Sequence, residues 1–332
     1  MKISHRLVSQ SKSVSAVLLF GGLVYLIVHW LQSWLLPIWI DLPVLEGLKT
    51  TYRGRLIWIT FYQIIFDVFL NPYFYLPVIG IFYLELIIPA KKEQKVFSVG
   101  MLQDFIWFIA DIVFFTIVIS PYILWIRFIC DQYLGFLKID ALTNLTYPLP
   151  LIIAIFASDF LIWLSHLVRH KVKYLWYFHS VHHSQTELNL FTDLRFHTID
   201  TLIAITTAII PLQLLQIATP TTIYYLFIQK WYLRLYHANI KSNYGFLKYL
   251  LVTPQSHRVH HSFEAKHCDK NFGTIFSIWD YLFKTQYKQY NEYPDTGINE
   301  PRFPLEKSSK LPSLLKTYWL QFIYPFQSIV GK

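Results

Sequence analysis

The chain has 332 residues, 54% of them hydrophobic and 18% aromatic, but only 15% are charged, with a mean hydropathy of +0.37. A soluble domain carries about a quarter charged residues, so the composition excludes an ordinary soluble protein and points to an integral membrane one. The formal charge of +9 comes from lysines and arginines flanking apolar runs, not from a compact basic domain with interleaved aromatics. That arrangement excludes nucleic acid as the partner and fits positive-inside topology.

In chain order, Lys2, Arg6 and Lys12 precede an apolar run from about Ser13 to Ile38. It is too long for a signal-peptide core and no small-residue cleavage pattern follows, so it reads as a retained first span. A polar link with Asp41, Glu46, Lys49 and Arg53 comes next. Residues 56–89 are almost continuously apolar, broken by Pro72 and Pro77. That stretch is long for one upright helix and short for two, so part of it should lie in the interface or re-enter. Lys91, Lys92 and Lys95 then mark a side. A span is expected at about 101–127, a loop at 128–146, and a further span at about 147–165 that runs into His166.

Three histidine clusters follow: His166-x-x-x-His170, His179-x-x-His182-His183 and His257-x-x-His260-His261. Between the second and third lies an apolar stretch, 199–236, with Pro211 and Pro220 near its middle. It reads as a helical hairpin that enters and leaves on one side, and an even number of crossings is required if the clusters are to meet. With the amino terminus cytoplasmic and one net crossing in 56–89, the clusters fall on the cytoplasmic side with Arg169, Lys171 and Lys173. Residues 238–332 are more polar and read as a cytoplasmic cap. Thr253-Pro254 is an N-cap signal for the helix carrying the third cluster. Leu314 to Val330 is aromatic but interrupted by Lys316, Gln321 and Pro325, as in an interfacial segment.

The clusters hold eight of the thirteen histidines. Spacings of three and four bring side chains onto one helical face, so each cluster is expected to present its imidazoles in one direction. Eight imidazoles exceed the needs of one mononuclear site, which suggests a two-metal centre of iron, zinc or copper rather than magnesium or calcium. No His-Glu-x-x-His string of a zinc protease occurs. His197 and His237, at the two ends of the hairpin, are candidates to complete or brace the centre. Asp159, seven residues before His166, is an intramembrane carboxylate that can orient a histidine or serve the helix end. Asn271 is a candidate to support the site or touch metal, while Asn189, Asn239 and Asp280 read as loop-fixing residues. His5 and His29 read as structural, and the spacing of His267 does not repeat the pattern. Cys130 and Cys268 supply neither a disulfide framework nor a cysteine-rich site.

The order of the clusters around the hairpin resembles the fatty acid hydroxylase/sterol desaturase superfamily of membrane oxygenases, and most closely its bacterial branch. The flanking strings carry the likeness over roughly 153–287: Leu175-Trp-Tyr-Phe-His179, Arg195-Phe-His197, His237-Ala-Asn239, Val252-Thr-Pro254, His257-Arg-Val-His-His-Ser262, Asp269-Lys-Asn-Phe-Gly273 and Trp279-Asp-Tyr-Leu-Phe283. The resemblance implies an all-α, multi-span helical membrane protein with a cytoplasmic helical cap. It divides the chain into an N-terminal transmembrane region (1–146), a catalytic region (147–290) and a C-terminal interfacial tail (291–332). It also implies a non-haem centre of two iron ions held by His166, His170, His179, His182, His183, His257, His260 and His261, with His237 as a further ligand. The implied activity is hydroxylation or desaturation of a lipid with O2. The chain contains no flavin or haem module, so electrons would come from a separate donor of cytochrome b5, ferredoxin or reductase type. The host membrane would be a bacterial inner membrane or the endoplasmic reticulum. An ether-lipid monooxygenase of the same superfamily and a non-enzymatic metal-binding or transport protein are the alternatives. Leu167, Thr198 and Lys284 depart from the family pattern without removing a ligand, and leave the substrate open.

Overall fold

A computed structural model describes residues 76–95, 97–114, 118–139, 144–217 and 219–331, and they are helical with no named strand among them. The first span expected at 13–38 and residues 56–75 of the long apolar region lie outside the described residues. A boundary between compact units falls after Leu86, so helix α1 (Leu76–Ile87) is described by itself. Ile87–Lys332 is one compact unit. Residues 87–146 and the tail from 291 onward lie in the same unit as 147–290.

The span expected at 101–127 falls on two described helices, α2 (Val99–Phe114) and α3 (Ser120–Tyr133). Pro121 stands in the first turn of α3, where its missing N–H leaves no bond unmade. The helix continues to Tyr133, beyond the position where the loop was expected to begin. Next comes α4 (Leu149–Lys171), followed after Val172 by α5 (Lys173–His183). The hairpin forms as α6 (Thr198–Leu214) and α7 (Thr219–His237). Short α8 (Pro254–His260) and α9 (Ile278–Leu282) precede the long α10 (Leu311–Ile329).

Helix α4 sets the direction of the site. It is long and apolar enough to cross a membrane, with a mean hydropathy of 2.1. Its buried residues Leu151, Ala154, Ser158, Ile162, His166 and Arg169 follow spacings of three and four, so they make one stripe. The stripe begins apolar and ends in His166, a candidate ligand, and Arg169. Leu149, Ile152, Phe156 and Leu164 remain exposed on other faces of the helix. Small polar residues let α6 approach closely: Ser158 Oγ donates to the Ala208 carbonyl at 3.3 Å, and Thr207 Oγ1 donates to Ser165 Oγ at 3.2 Å. Leu151, Ala154, Leu212, Ile217, Tyr225 and Ile275 close an apolar core between α4 and the hairpin. A second core, built on Trp107, Val181, Phe303 and Tyr324, joins α2, α5 and α10. Helix α10 buries Leu314, Thr317, Gln321 and Tyr324 on one stripe, and Gln321 Oε1 accepts from Trp107 Nε1 at 2.9 Å. The C-terminal segment is thus built into the body.

A buried ionic hub fixes these layers. Arg195, fully buried, donates from Nε to Asp104 Oδ1 at 2.5 Å and from an Nη to Glu306 Oε1 at 2.8 Å. Its remaining donors reach Ser184 Oγ at 3.1 Å and the Gly100 carbonyl at 3.2 Å. Asp104 also accepts from Gln185, Asn189 and Thr192. Burial alone would raise the pKa of Glu306, but the ion pair with Arg195 overcomes it and holds the carboxyl below its ordinary value. One guanidinium thereby ties α2, the turn after α5 and the segment before α10. Removing one partner of such a network strands the other charges in a low-dielectric interior. Arg195→Met should therefore cost about 3–5 kcal/mol of stability, and Arg195→Lys, which keeps the charge but loses the fork, should cost less. Thermal unfolding of the detergent-solubilised protein checks this; a melting temperature unchanged in Arg195→Met would refute the hub.

Candidate metal centre

Nine histidines from four helices and a helix end converge in two groups. His166, His170, His179, His183 and His260 form one, and His182, His237, His257 and His261 the other; within each, the available ligand atoms lie within 4.8 Å of one another. The nine are those singled out in the sequence. His197 and Asp159 fall outside both groups.

The expectation that each cluster points one way is corrected by helix geometry. In α5, His179 and His183 are one full turn apart and share a group, while His182, one residue short of the turn, faces the other. In α8 the same spacing gives the inverse result: His257 and His261 share the group of four and His260 crosses to the group of five. His166 and His170 on α4 supply the group of five, and His237, the last residue of α7, completes the group of four. The two groups touch where the His183 and His261 rings stack, with centroids 4.3 Å apart.

The second nitrogens determine what the first can do. His166 Nδ1 donates to the Phe272 carbonyl at 2.9 Å and His260 Nδ1 to the Lys270 carbonyl at 2.8 Å. Each neutral ring then carries a bare lone pair on Nε2, and these two Nε2 atoms face each other at 3.0 Å. Neither has a proton to share, so a bound cation would offset their repulsion. His237 is fixed in the same sense by the Leu233 carbonyl at 2.7 Å. Its Nε2 lies 3.2 Å from His182 Nε2 and 2.8 Å from His257 Nε2, and His257 Nε2 lies 3.0 Å from His261 Nε2. Two nitrogens bound at about 2.1 Å to one ion and at right angles stand about 3 Å apart, so the spacing is that of ligand pairs. Nε2 of His170, His179 and His183 is buried and without a hydrogen-bond partner among the described residues. The donor set fits two metal ions.

Burial, reinforced by the neighbouring imidazoles, pushes His182, His183, His257 and His261 far below the ordinary imidazole pKa. Burial brings His260 down to about 3, although its bond to the Lys270 carbonyl works the other way. At neutral pH these rings are lone-pair donors, the form a metal requires.

Carboxylates hold the frame rather than the metal groups. Asp200, in the first turn of α6, accepts from His179 Nδ1 at 2.8 Å and from Arg169 at 3.0 Å. An acidic group there is also favoured by the helix dipole. A carboxylate behind a ligating imidazole fixes its tautomer and raises its basicity. Sequence reasoning passed over Asp200; its position five residues after Arg195, at the start of the hairpin, was the available signal. Among the described residues Asp159 has no hydrogen bond to a histidine. It accepts from the amides of Ile275 (2.7 Å) and Phe276 (3.1 Å) and from Trp279 Nε1 (2.8 Å), bracing the loop that presents Phe272. Asp280 accepts from the amides of Phe272 (2.9 Å) and Gly273 (2.8 Å) and from Trp163 Nε1 (3.0 Å).

Asn271 lies between the two carbonyls that fix His260 and His166, at a positive φ of 58°. Its side chain donates to the Ser256 carbonyl and accepts from Tyr287 N, both at 2.8 Å. His197 is the N-cap of α6: Nδ1 accepts from Ile199 N at 3.1 Å and Nε2 donates to the Phe322 carbonyl at 3.1 Å. Both its nitrogens are taken, so it is a helix cap rather than a ligand. His267 is engaged by Glu292 at 3.1 Å. Thr253 caps α8 as expected, in a reciprocal box with Ser256.

Residues 151–285 match the fatty acid hydroxylase family model, and this segment belongs to the fatty acid hydroxylase superfamily. The chain is 33% identical over 134 residues to an ornithine lipid hydroxylase of Rhizobium tropici, an alignment covering 40% of each protein. It is 31% identical over 172 residues to the alkylglycerol monooxygenase of Homo sapiens, covering 50% of this chain and 38% of that one. The corresponding protein of Caenorhabditis elegans is 31% identical over 160 residues, 47% of this chain and 31% of its own length. The chain thus spans well under half the length of these relatives. No solved structure matches.

Asp200→Asn keeps the shape of the side chain but removes the charge behind His179 and beside Arg169. Metal affinity should fall about 10–100-fold, read as metal retained per chain during titration with a chelator. Retention equal to the parent protein would show that Asp200 does not serve the centre.

Proposed function

We propose that the chain is a membrane-embedded oxygenase with a non-haem di-iron centre that hydroxylates or desaturates a lipid. One observation carries the reading: two adjoining groups of five and four buried imidazoles, several of them turned so that bare nitrogens face one another at about 3 Å. Five donors in one group exceed the four of a structural zinc site, and an all-imidazole set suits iron better than magnesium or calcium. His166, His170, His179, His183 and His260 would hold one ion and His182, His237, His257 and His261 the other. Such a pair of irons, when bound and reduced, supplies activation of O2 for attack on an unactivated C–H bond.

The protein's own residues do the rest. Asp200 and the carbonyls of Phe272, Lys270 and Leu233 orient the ligands. The helices bury the centre, which keeps water from the reacting atoms. Hydroxylation consumes O2, two electrons and two protons, and releases water; desaturation has the same electron demand. The electrons require a separate donor of cytochrome b5, ferredoxin or reductase type. We read α4 and the hairpin as membrane-crossing elements that open the centre to a lipid from the cytoplasmic leaflet, in a bacterial inner membrane or the endoplasmic reticulum. An acyl chain then reaches it without leaving apolar surroundings.

The second reading, oxidation of an ether lipid, is favoured by the likeness to alkylglycerol monooxygenases. A histidine-rich transporter is disfavoured because the ligands gather at the end of α4 and not at mid-helix, where transport sites lie.

Lipid extracts of cells with and without the gene should differ by one oxygen or two hydrogens in a defined lipid. His260→Ala and His182→Ala, one from each group, should abolish that product while the protein remains inserted. Purified protein should hold about two metal ions per chain. Product formation by either variant would sink the assignment, and an ether-lipid product would select the second reading.

A further inference from the structure

Two loops outside the metal groups form a continuous apolar surface beside α4. The first is the turn at 245–251, with Phe246 80% exposed and Tyr249 and Leu250 also exposed. The second runs from Gly273 through α9, with Ile278, Leu282 (66% exposed) and Phe283 outward. They are knit together. Ser277 N donates to the Leu250 carbonyl at 2.9 Å, Ser277 Oγ donates to the Lys248 carbonyl at 2.8 Å, and Leu251 bridges Phe276. Gly273 permits the close approach, since a Cβ there would meet Val252 Cγ2 at 2.7 Å.

The second loop lies along the membrane-crossing part of α4. Phe276 stacks on Phe156 (4.4 Å), Trp279 packs on Phe160 (5.1 Å) and Phe283 stacks on Trp163 (4.6 Å). At 1.5 Å per residue, these contacts extend about 15 Å along the helix from His166 toward its other end. An irregular backbone at that depth must have its polar groups satisfied by protein. Here Asp159 and Asp280, both buried, take the amides of Phe272, Gly273, Ile275 and Phe276 and the indole N–H groups of Trp163 and Trp279. Two buried carboxylates thus satisfy one loop, while its outward side chains are left apolar. Exposed Lys284 ends the loop, and Lys248 lies over the rings of Tyr249 and Tyr290. Aromatics flanked by lysines are the composition of the headgroup boundary.

We propose that residues 245–251 and 273–284 form a platform inserted among the acyl chains of the leaflet that faces the metal centre. The inference rests on the reading of α4 as a membrane span, because the platform continues the outward face of that helix through Phe156. It narrows the idea of a purely cytoplasmic cap: part of the cap dips beside α4, and Phe272, the residue just before the second loop, holds His166. The platform seats the centre at a set depth against lipid chains.

The test uses the full chain in vesicles of phosphatidylcholine and phosphatidylglycerol, with Cys268→Ser as background. A bimane label is placed at Phe246→Cys, Leu282→Cys or, as a reference on α4, Phe156→Cys. All three positions are exposed, so each variant should fold and keep its metal. The expected result is strong quenching at 246 and 282 by a lipid carrying a shallow nitroxide and at 156 by one carrying a mid-chain nitroxide, with little quenching by aqueous iodide. Quenching at 156 but iodide access at 246 and 282 overturns the platform alone. Shielding of 246 and 282 from both quenchers overturns it in favour of a protein contact. Absence of nitroxide quenching at 156 overturns the membrane reading of α4 and this proposal with it.

Discussion

The structure depends on keeping nine imidazoles neutral, buried and turned toward one another. Each would rather be hydrated, and facing lone pairs repel. The fold supplies the opposing terms: four helices whose apolar contacts lie elsewhere, and backbone carbonyls that take the Nδ1 protons of His166, His237 and His260. Once those protons are placed, the direction of each bare nitrogen is no longer free. The site is therefore selective for cations by construction, before any particular metal is considered.

Helix periodicity does much of this at little cost. A histidine pair four apart on one helix serves one group, and an insert at the third position serves the neighbouring group. Two helices carrying that pattern with opposite assignments, α5 and α8, suffice to interlock the groups. The rest of the fold keeps these helices in register. Arg195 joins distant segments at one buried point, and the apolar stripe of α4 runs without a break into His166 and Arg169. Packing and chemistry share one helical face.

Much of this was legible in the chain. The candidate ligands stood out because spacings of three and four have a direct geometric meaning, and His237 because it ends an apolar hairpin. The capping of α8 was readable because Thr-Pro is a local signal. What could not be read depends on contacts between distant segments. Asp104 and Glu306 lie 91 and 111 residues from Arg195, and nothing local to any of them announces the hub. For His197 the sequence left two roles open, completing or bracing the centre, and only its place before α6 shows it as a cap. For Asp159 the sequence left a histidine and the helix end as alternatives, and the structure shows it on a loop instead. A buried carboxylate must find donors, and a loop with free amides served as well as a histidine.

The distribution of ligands along the chain also bears on how the protein is made. Neither group is complete before α8, since His260 closes one and His257 and His261 close the other. During synthesis the first two clusters emerge well ahead of the third, with the hairpin between them. A chain halted before α8 exposes six histidines in half-built pockets, which would hold metal weakly and without the final geometry. Loading of the proposed centre would thus be a late event that follows closure of the hairpin and the docking of α8. A loaded centre would then serve as a record that the polypeptide has been threaded correctly.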